Sequence, residues 1–325
     1  MTASMRWSSH TLTVGLPQTN YRNFSEVACL MEAGHAFWQG LGDRLGRPVA
    51  QLRSGRGEPV YAAIYYVEER FPEHAGLETF RLDDRLRFFV GLRALKGMSI
   101  EARVMFDRED RWPASSSDGD AEPGRSGEHP EVRFGSIFAS ADPSSEGRLR
   151  PATPVNAQPS VLPTLPLEDH PGRITRAAQE TGSLQLIPEA WRPLDPQTGP
   201  HFTYQVDPER DTNAAGLVYF ANYVAFMTTA ERWQAQQRGQ SDEMRRRSLR
   251  HRRIAYYENA GWSDRLIVAV SRFGQEDHPE SAGWRYRVTR ERDGKLLCLS
   301  EALIAYAAEA RERTGAPSEP SQVRA

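Results

Sequence analysis

Apolar and polar positions along the chain follow one pattern in two successive blocks. In the first block, apolar residues recur at helical spacing from Val27 to Trp38 after the polar pair Ser25-Glu26. This spacing predicts a helix over 25–41. Four short runs rich in β-branched and aromatic residues follow and predict strands. These predicted strands cover 60–68, 85–94, 100–106 and 132–139.

The second block repeats the order of the first. A local match between 84–92 and 264–271 lies at equivalent places in the two blocks, which favours a duplicated unit. Asp293-Gly294 is a strong hairpin signal between the last two predicted strands. The block comprises a strand over 201–206, an apolar helix over 216–237, and strands over 253–257, 264–272, 284–292 and 296–307.

Two polar stretches interrupt this pattern. Residues 112–130 are dense in Ser, Gly, Asp and Pro and predict a solvated insertion. The proline-rich stretch 142–200 predicts a connector across the surface. The predicted organisation is a first half over 10–141, this connector, a second half over 201–311 and a disordered tail over 312–325.

A long helix followed by antiparallel strands indicates an α+β unit in which the sheet wraps around the helix. This is the hot-dog arrangement, and the duplication predicts it twice in one chain. We therefore predict a double hot-dog with two antiparallel sheets, each wrapping a long helix. The pattern alone leaves a different α+β topology equally open.

Composition limits the function classes. The chain of 325 residues has 41 Lys+Arg against 43 Asp+Glu, so it lacks the basic excess that nucleic-acid or membrane-surface binding needs. No apolar run approaches ~20 residues, and the amino terminus shows no secretory pattern. Cys29 and Cys298 are too few for a disulfide framework or a metal site. We expect a cytoplasmic protein without a metal.

The segment 211–231 carries the most specific signal. Its polar head leads through Gly216 into the predicted helix. Such a loop presents backbone N–H groups and the positive end of the helix dipole. The backbone near Gly216 is therefore predicted to stabilise the oxyanion of a thioester substrate. Asn213 lies in this loop, where capping of a helix is a common use of Asn.

This segment resembles the start of acyl-CoA thioesterases of the 4-hydroxybenzoyl-CoA type. Asp211, Gly216, Val218 and Tyr223 match the family pattern, and Asn213 stands where that family has its second aspartate. In those enzymes the second aspartate acts as base or nucleophile. An amide can donate and accept hydrogen bonds but cannot take up the proton of a water, so hydrolysis by that route is disfavoured.

The chain also resembles the bifunctional acyltransferase/decarboxylase family of leinamycin-type polyketide biosynthesis, which has a double hot-dog fold. The matching pieces are 13–18, 25–26, 60–64, 211–231, 252–259 and 263–266. The resemblance implies that a methylmalonyl or malonyl group is loaded from coenzyme A, decarboxylated and passed to an acyl carrier protein. It implies no bound cofactor, because the coenzyme A thioester is a substrate and the phosphopantetheine belongs to the carrier.

The same resemblance implies that Tyr61 bears the acyl group. Asn213 is then expected to hydrogen-bond the substrate carbonyl or the enolate left after decarboxylation. Tyr65 lies on the same strand, so a shift of alignment would move this role to it. An arginine-rich run over 245–253 is predicted to contact phosphates, although a solvated face is its ordinary use. We treat His35 as structural. Further predicted pocket residues, whose spacing also suits a core, are Tyr65, Ala214, Ala215, Leu217, Tyr219 and Tyr223; the predicted phosphate contacts are Arg250, Arg252 and Arg253.

Three functions stay open at this point. The first is the acyltransferase/decarboxylase, and the second is a thioesterase or dehydratase-like enzyme that activates water with another residue such as Asp211. The third is a non-catalytic member that binds acyl carrier protein. The sequence leaves the acyl preference, the carrier and the formation of a homodimer undetermined.

Overall fold

The computed structural model describes residues 5–21, 23–95, 99–113, 116, 118–119, 121–125, 127–142, 148–157, 162–163, 170–194, 201–275 and 280–306. The predicted tail over 312–325 lies outside these residues. The strands are β1 (Arg6–Thr13), β2 (Thr19–Asn20), β3 (Asn23–Phe24), β4 (Tyr61–Arg70), β5 (Arg85–Ala94), β6 (Ser99–Arg108), β7 (Glu131–Ala141), β8 (Leu149–Pro151), β9 (Arg192–Pro193), β10 (Phe202–Gln205), β11 (Arg247–Tyr256), β12 (Arg265–Gly274), β13 (Ser281–Arg290) and β14 (Leu296–Tyr306). The helices are α1 (Glu26–Leu45), α2 (Pro171–Thr181), α3 (Pro208–Asp211), α4 (Asn222–Gln237) and α5 (Glu243–Arg246).

Twelve of the described strands form a large antiparallel sheet with an internal repeat, and β2 pairs with β3 in a separate two-stranded sheet. The order of the large sheet is β1-β5-β6-β7-β4-β11-β14-β13-β12-β10, with β8 and β9 at its margins. Read from either edge to the middle, the two halves have the same order of strands. In each half one long helix packs on the sheet, α1 against β5 and α4 against β12. The prediction of an α+β double hot-dog fold is confirmed.

The two halves share one sheet, which corrects the prediction of two separate ones. β4 of the first half pairs with β11 of the second half, from Arg70 opposite His251 to Tyr66 opposite Ala255. Because this pairing continues the hydrogen-bond ladder across the molecule, neither half has a free inner edge at these positions. The amino-terminal part of β4, from Tyr61 to Tyr65, extends beyond the pairing.

Local sequence sets both ends of α1, whereas contacts between distant residues set the start of α4. α1 begins after Ser25, whose hydroxyl accepts from the Ala28 N–H, and ends at Gly46 in the left-handed conformation (φ 68°). The second helix was predicted to begin at Gly216 but begins at Asn222. The Asn222 amide donates to the Asp211 carbonyl oxygen at 3.0 Å, so the chain before it is held as a turn.

The interrupting stretches are more structured than predicted. Trp112 and His129 at the ends of the predicted insertion are buried and stack with ring centroids 4.0 Å apart. His129 Nδ1 lies 3.1 Å from a carboxylate oxygen of Asp107. The predicted connector contains α2, β8 and β9. Within the described residues, no helix combines the length and apolarity that crossing a membrane requires.

A buried cluster of charges lies where the two halves meet. Arg252 is fully buried, and its Nε lies 2.6 Å from Glu26 Oε1 and 3.8 Å from Glu69 Oε2. Arg247 Nε lies 3.0 Å from Glu231 Oε2. Burial and the neighbouring Glu26 carboxylate raise the pKa of Glu69 well above its ordinary value.

Substitution of Arg252 tests how much this cluster contributes to the stability of the folded protein. We expect Arg252→Ala to lower the free energy of unfolding by about 3–5 kcal/mol, because it leaves buried carboxylates without a partner. Urea denaturation measures the change. Arg250→Ala is the control, since that guanidinium donates to the Glu73 carbonyl oxygen at the surface and its loss is expected to change stability by about 0.5 kcal/mol or less. Equal effects of the two substitutions on the free energy of unfolding would contradict a stabilising role of the buried charge cluster.

The raised pKa of Glu69 predicts that stability depends on pH. Above the ordinary Glu pKa of 4.5 the unfolded chain releases the Glu69 proton while the folded protein keeps it, so stability falls as pH rises. We expect Glu69→Gln to flatten this decline in the unfolding free energy as the pH rises above the ordinary Glu value. The control is Glu109→Gln, a partly exposed partner of Arg85, which should keep the wild-type slope. An unchanged slope in Glu69→Gln would argue against a protonated Glu69.

Candidate functional site

A cavity of about 1070 Å³ lies between the two halves. Most of its wall comes from three parts of the chain: the second half of α1 with the turn after it, the start of β4, and the turn before α4. Leu149 of β8 and Asn259 after β11 complete the wall. The lining is largely apolar, which suits a ligand with an acyl chain. The lining residues are His35, Trp38, Gln39, Gly42, Asp43, Gly46, Arg47, Pro48, Val49, Ala50, Tyr61, Ala62, Ala63, Ile64, Leu149, Asn213, Ala214, Ala215, Leu217, Val218, Tyr219, Phe220 and Asn259.

The turn at Asn213 is closed by the Asn213 side chain. Its Oδ1 accepts from the Ala215 N–H at 2.9 Å and from the Leu217 N–H at 3.3 Å. The Asn213 N–H donates to the Leu217 carbonyl oxygen at 2.9 Å. With its oxygen engaged, the amide can offer only its Nδ2 donors to a ligand. Asn213 is exposed on the cavity wall.

Gly216 does not supply the predicted oxyanion contact. Its N–H donates to the Asn213 carbonyl oxygen at 2.9 Å, so this donor is occupied. The residue has φ 71°, and it precedes the first residue of α4 by a further turn. Gly216 therefore serves the left-handed position of the turn. The helix was wrongly predicted to begin at Gly216, because the apolar residues of a buried turn can have the same spacing as those of a helix.

Tyr61 lines the same cavity as Asn213. It is the first residue of β4, pairs with Ala139 of β7 and is half-buried. Its hydroxyl makes no hydrogen bond to any residue in the described part of the chain. The fold thus brings together two predicted residues that come from different halves.

Tyr65 does not share the cavity of Tyr61 and Asn213. A bulge interrupts β4 between Ile64 and Tyr66, and the Tyr65 ring packs over Gly135, where a Cβ would approach the ring to 2.9 Å. Burial raises the pKa of the Tyr65 hydroxyl to about 12. Tyr65 lines an adjoining cavity of about 440 Å³ and does not line the larger one, which corrects its assignment.

The other predicted pocket residues divide between the two cavities. Ala214, Ala215, Leu217 and Tyr219 line the larger cavity. Tyr223 lines the adjoining cavity and not the larger one, and its side chain is almost completely buried. Its hydroxyl donates to Asn259 Oδ1 at 3.2 Å. Tyr223 therefore supports a wall residue, and its placement on the larger cavity was wrong.

The predicted phosphate contacts lie away from the cavity. Arg252 belongs to the buried charge cluster and has no surface to offer a ligand. Arg253 Nε lies 3.1 Å from Glu68 Oε1 on the opposite face of the sheet, and Arg250 contacts Glu73. None of the three lines either cavity. Alternation along β11 separates Arg252 from Arg253, because neighbouring residues of a strand point to opposite faces.

Asp211, the alternative base for hydrolysis, is not available to a ligand. It is buried, and one carboxylate oxygen accepts from the Tyr204 hydroxyl at 2.7 Å and from the Asp207 N–H at 2.8 Å. The other oxygen accepts from Arg210 Nε at 3.1 Å. Asp211 therefore organises the turn. Within the described residues, no group of three His, Cys, Asp or Glu side chains could hold a metal ion.

Several lining residues were not predicted from the sequence. Trp38 and Arg47 come from α1 and its following turn, and Asn259 follows β11. Trp38 packs edge-on against Tyr219 with centroids 5.8 Å apart. His35, predicted to be structural, is exposed on the cavity wall. Position along the chain could not reveal these residues, because they reach the site only when the halves associate.

The fold is similar to that of solved thioesterase structures. An acyl-ACP thioesterase from Bacteroides thetaiotaomicron has a TM-score of 0.57 and 11% identity over 92% of this chain and 97% of its own. A protein assigned as an oleoyl thioesterase from Lactobacillus plantarum has a TM-score of 0.60 and 11% identity, covering 94% of this chain and 98% of its own. A 12:0-ACP thioesterase from Umbellularia californica has a TM-score of 0.57 and 9% identity, covering 93% and 94%.

These comparisons show the double hot-dog fold over nearly the whole chain. No protein-family model matches the sequence, and no curated protein matches it either. At such low identity the activity must be argued from the site itself.

The hydrogen bonds to the Asn213 side chain should protect two backbone amides from hydrogen exchange. We expect Asn213→Ala to speed hydrogen exchange of the Ala215 and Leu217 amides by roughly 5-fold, because each loses a hydrogen bond worth about 1 kcal/mol. Exchange followed by NMR measures the effect. The Tyr219 amide, which donates to the Asp211 carbonyl oxygen at 2.8 Å, is the internal control and should keep its rate. Unchanged protection at 215 and 217 would show that the side chain does not close the turn.

Proposed function

We propose that the protein is an acyltransferase that accepts a methylmalonyl or malonyl group from coenzyme A, decarboxylates it and transfers the product acyl group to an acyl carrier protein. One observation carries the proposal. Tyr61 and Asn213 line a single apolar cavity, while Asp211 of the same motif is buried and hydrogen-bonded. The site therefore offers a nucleophile and an amide donor but no carboxylate of the motif to activate water.

The proposed reaction has three steps. The Tyr61 oxygen attacks the thioester carbonyl, an aryl ester forms, and the coenzyme A thiol leaves with the phenol proton. The bond to the free carboxylate then breaks, carbon dioxide leaves, and the resulting enolate takes up a proton. Finally the phosphopantetheine thiol of the carrier attacks the ester, which yields the carrier thioester and restores the Tyr61 hydroxyl.

The cavity suits the decarboxylation step. Loss of carbon dioxide needs a donor for the forming enolate and surroundings that solvate the carboxylate poorly. Asn213 Nδ2 is the donor, and apolar side chains such as Leu217, Val49 and Trp38 supply the surroundings. Arg47 also lines this cavity and is a cation complementary to a phosphate or carboxylate of the substrate.

Intact-mass analysis after incubation with methylmalonyl-CoA tests this proposal. We expect the wild type to gain the mass of an acyl group and Tyr61→Phe to gain nothing, because it lacks the attacking oxygen. Asn213→Ala should form the adduct about 10²-fold more slowly, the usual effect of losing one oxyanion donor. Addition of a phosphopantetheinylated carrier should discharge the adduct as a propionyl thioester.

Tyr65→Phe is the matched control, since it removes a tyrosine hydroxyl from the same strand but from the adjoining cavity. It should be acylated like the wild type. Acylation of Tyr61→Phe, or its loss in Tyr65→Phe with Tyr61 intact, would overturn the assignment of the nucleophile.

Hydrolysis of an acyl thioester is the second candidate. The names of the structurally similar proteins, two of them ACP thioesterases, favour it, whereas the engagement of Asp211 disfavours it. Release of free acid from the coenzyme A thioester without a carrier, undiminished in Tyr61→Phe, would establish hydrolysis in place of transfer.

A further inference from the structure

A second asparagine amide faces the candidate site. Asn259 lies in the segment after β11 and lines both the larger cavity and the adjoining one. This segment is hydrogen-bonded to the turn that carries Asn213: the Val218 N–H donates to the Ala260 carbonyl oxygen at 3.0 Å, and Leu217 bridges to Gly261. Both amides therefore belong to one hydrogen-bonded unit of the cavity wall.

The orientation of Asn259 is set by its neighbours. Its Oδ1 accepts from the Ala260 N–H at 2.8 Å and from the Tyr223 hydroxyl at 3.2 Å. Its main-chain carbonyl oxygen accepts from an Arg290 guanidinium N–H at 3.1 Å. In the described part of the chain, Nδ2 makes no hydrogen bond. Because the acceptor is occupied, the group that this side chain can offer to a ligand is its pair of N–H donors.

Asn213 has the same arrangement. Two backbone N–H groups occupy its Oδ1 and leave its Nδ2 without a partner among the described residues. The Gly216 N–H, which could have polarised a carbonyl, is consumed inside the turn. The backbone N–H of Gly216 is therefore not free to bind a ligand, whereas the side-chain N–H groups of Asn213 and Asn259 are.

Tyr223 holds Asn259 in this orientation. Its hydroxyl also accepts from the Ala260 N–H at 3.3 Å, so it closes a small ring of hydrogen bonds behind the cavity wall. Burial raises the pKa of Tyr223 far above its ordinary value, and the group stays a neutral hydroxyl that donates to Oδ1. The Tyr223 hydroxyl thus fixes the orientation of the Asn259 amide before a ligand binds.

We propose that Asn259 is a further catalytic residue, whose Nδ2 donates to the thioester carbonyl oxygen together with Asn213 Nδ2, with Tyr223 as its positioning residue. The two amides form an oxyanion hole of side-chain donors. This inference rests on the proposed function, since it requires an acyl thioester as substrate. In a largely apolar cavity such donors act with little competition from water.

Binding of two coenzyme A derivatives tests the inference. The probes are propionyl-CoA and S-propyl-CoA, a thioether that lacks only the carbonyl oxygen. Isothermal titration calorimetry is carried out on Tyr61→Phe, where no acyl group can be transferred to the tyrosine. We expect Asn259→Ala in this background to reduce the preference for the thioester by about 5-fold, the value of one neutral hydrogen bond, and to leave the affinity for the thioether unchanged.

Two further variants sharpen the test. Tyr223→Phe, which keeps the ring and removes the hydroxyl, should reduce the preference in the same direction by a smaller factor. Asn156→Ala, an amide outside the cavity lining that pairs with the Arg53 N–H, is the matched control and should leave the preference intact. In the otherwise wild-type enzyme, Asn259→Ala should slow turnover of methylmalonyl-CoA by about 10²-fold.

The outcomes separate this inference from the proposed function. An unchanged preference in Asn259→Ala, or an equal loss of affinity for both probes, would overturn the role of Asn259. Binding of both probes with the same affinity by Tyr61→Phe would also overturn it and would leave an acyl-CoA site in place. If neither probe binds, the proposed function fails and the inference fails with it.

Discussion

The buried charges where β4 meets β11 hold the molecule together in one specific arrangement. The first half contributes Glu26 and Glu69, and the second half contributes Arg247, Arg252 and Glu231. Charges removed from water are stable only when their partners are in place. A shift of one half against the other would separate Arg252 from Glu26 and Glu69 in a medium that solvates charges poorly. The relative position of the two halves is therefore strongly constrained, and so is the cavity between them.

The candidate site depends on that constraint. Tyr61 lies in the part of β4 that extends beyond the shared pairing, and Asn213 lies in the turn before α4 of the other half. Neither half alone contains both groups. The turn itself is stabilised from within, because Asn213 Oδ1 accepts two of its N–H groups and Asp211 anchors its start. A rigid turn presents amide donors in a fixed direction, which favours polarisation of a carbonyl over activation of water.

Much of the fold was predictable because its signals are local. Apolar spacing after the Ser25 cap indicated α1, and Asp293-Gly294 indicated the hairpin between β13 and β14. The start of α4 was predicted too early, since Leu217 and Phe220 are buried by contacts of a turn and have the spacing of a helix. The arginine-rich run was misjudged for a related reason. Arg252 and Arg253 are adjacent in sequence, yet their partners Glu26 and Glu68 are far away in the chain.

The sequence by itself determined the repeated order of one long helix and several strands and the presence of an amide at position 213, because periodicity, turn residues and residue identity are properties of short segments. Only the tertiary structure decided which side chains share a cavity, which arginines are buried and which backbone donors stay free. Tyr61, Asn213 and Asn259 meet through strand pairing and hydrogen bonds between distant segments. Such contacts depend on the register of the whole sheet, and no short segment contains that information.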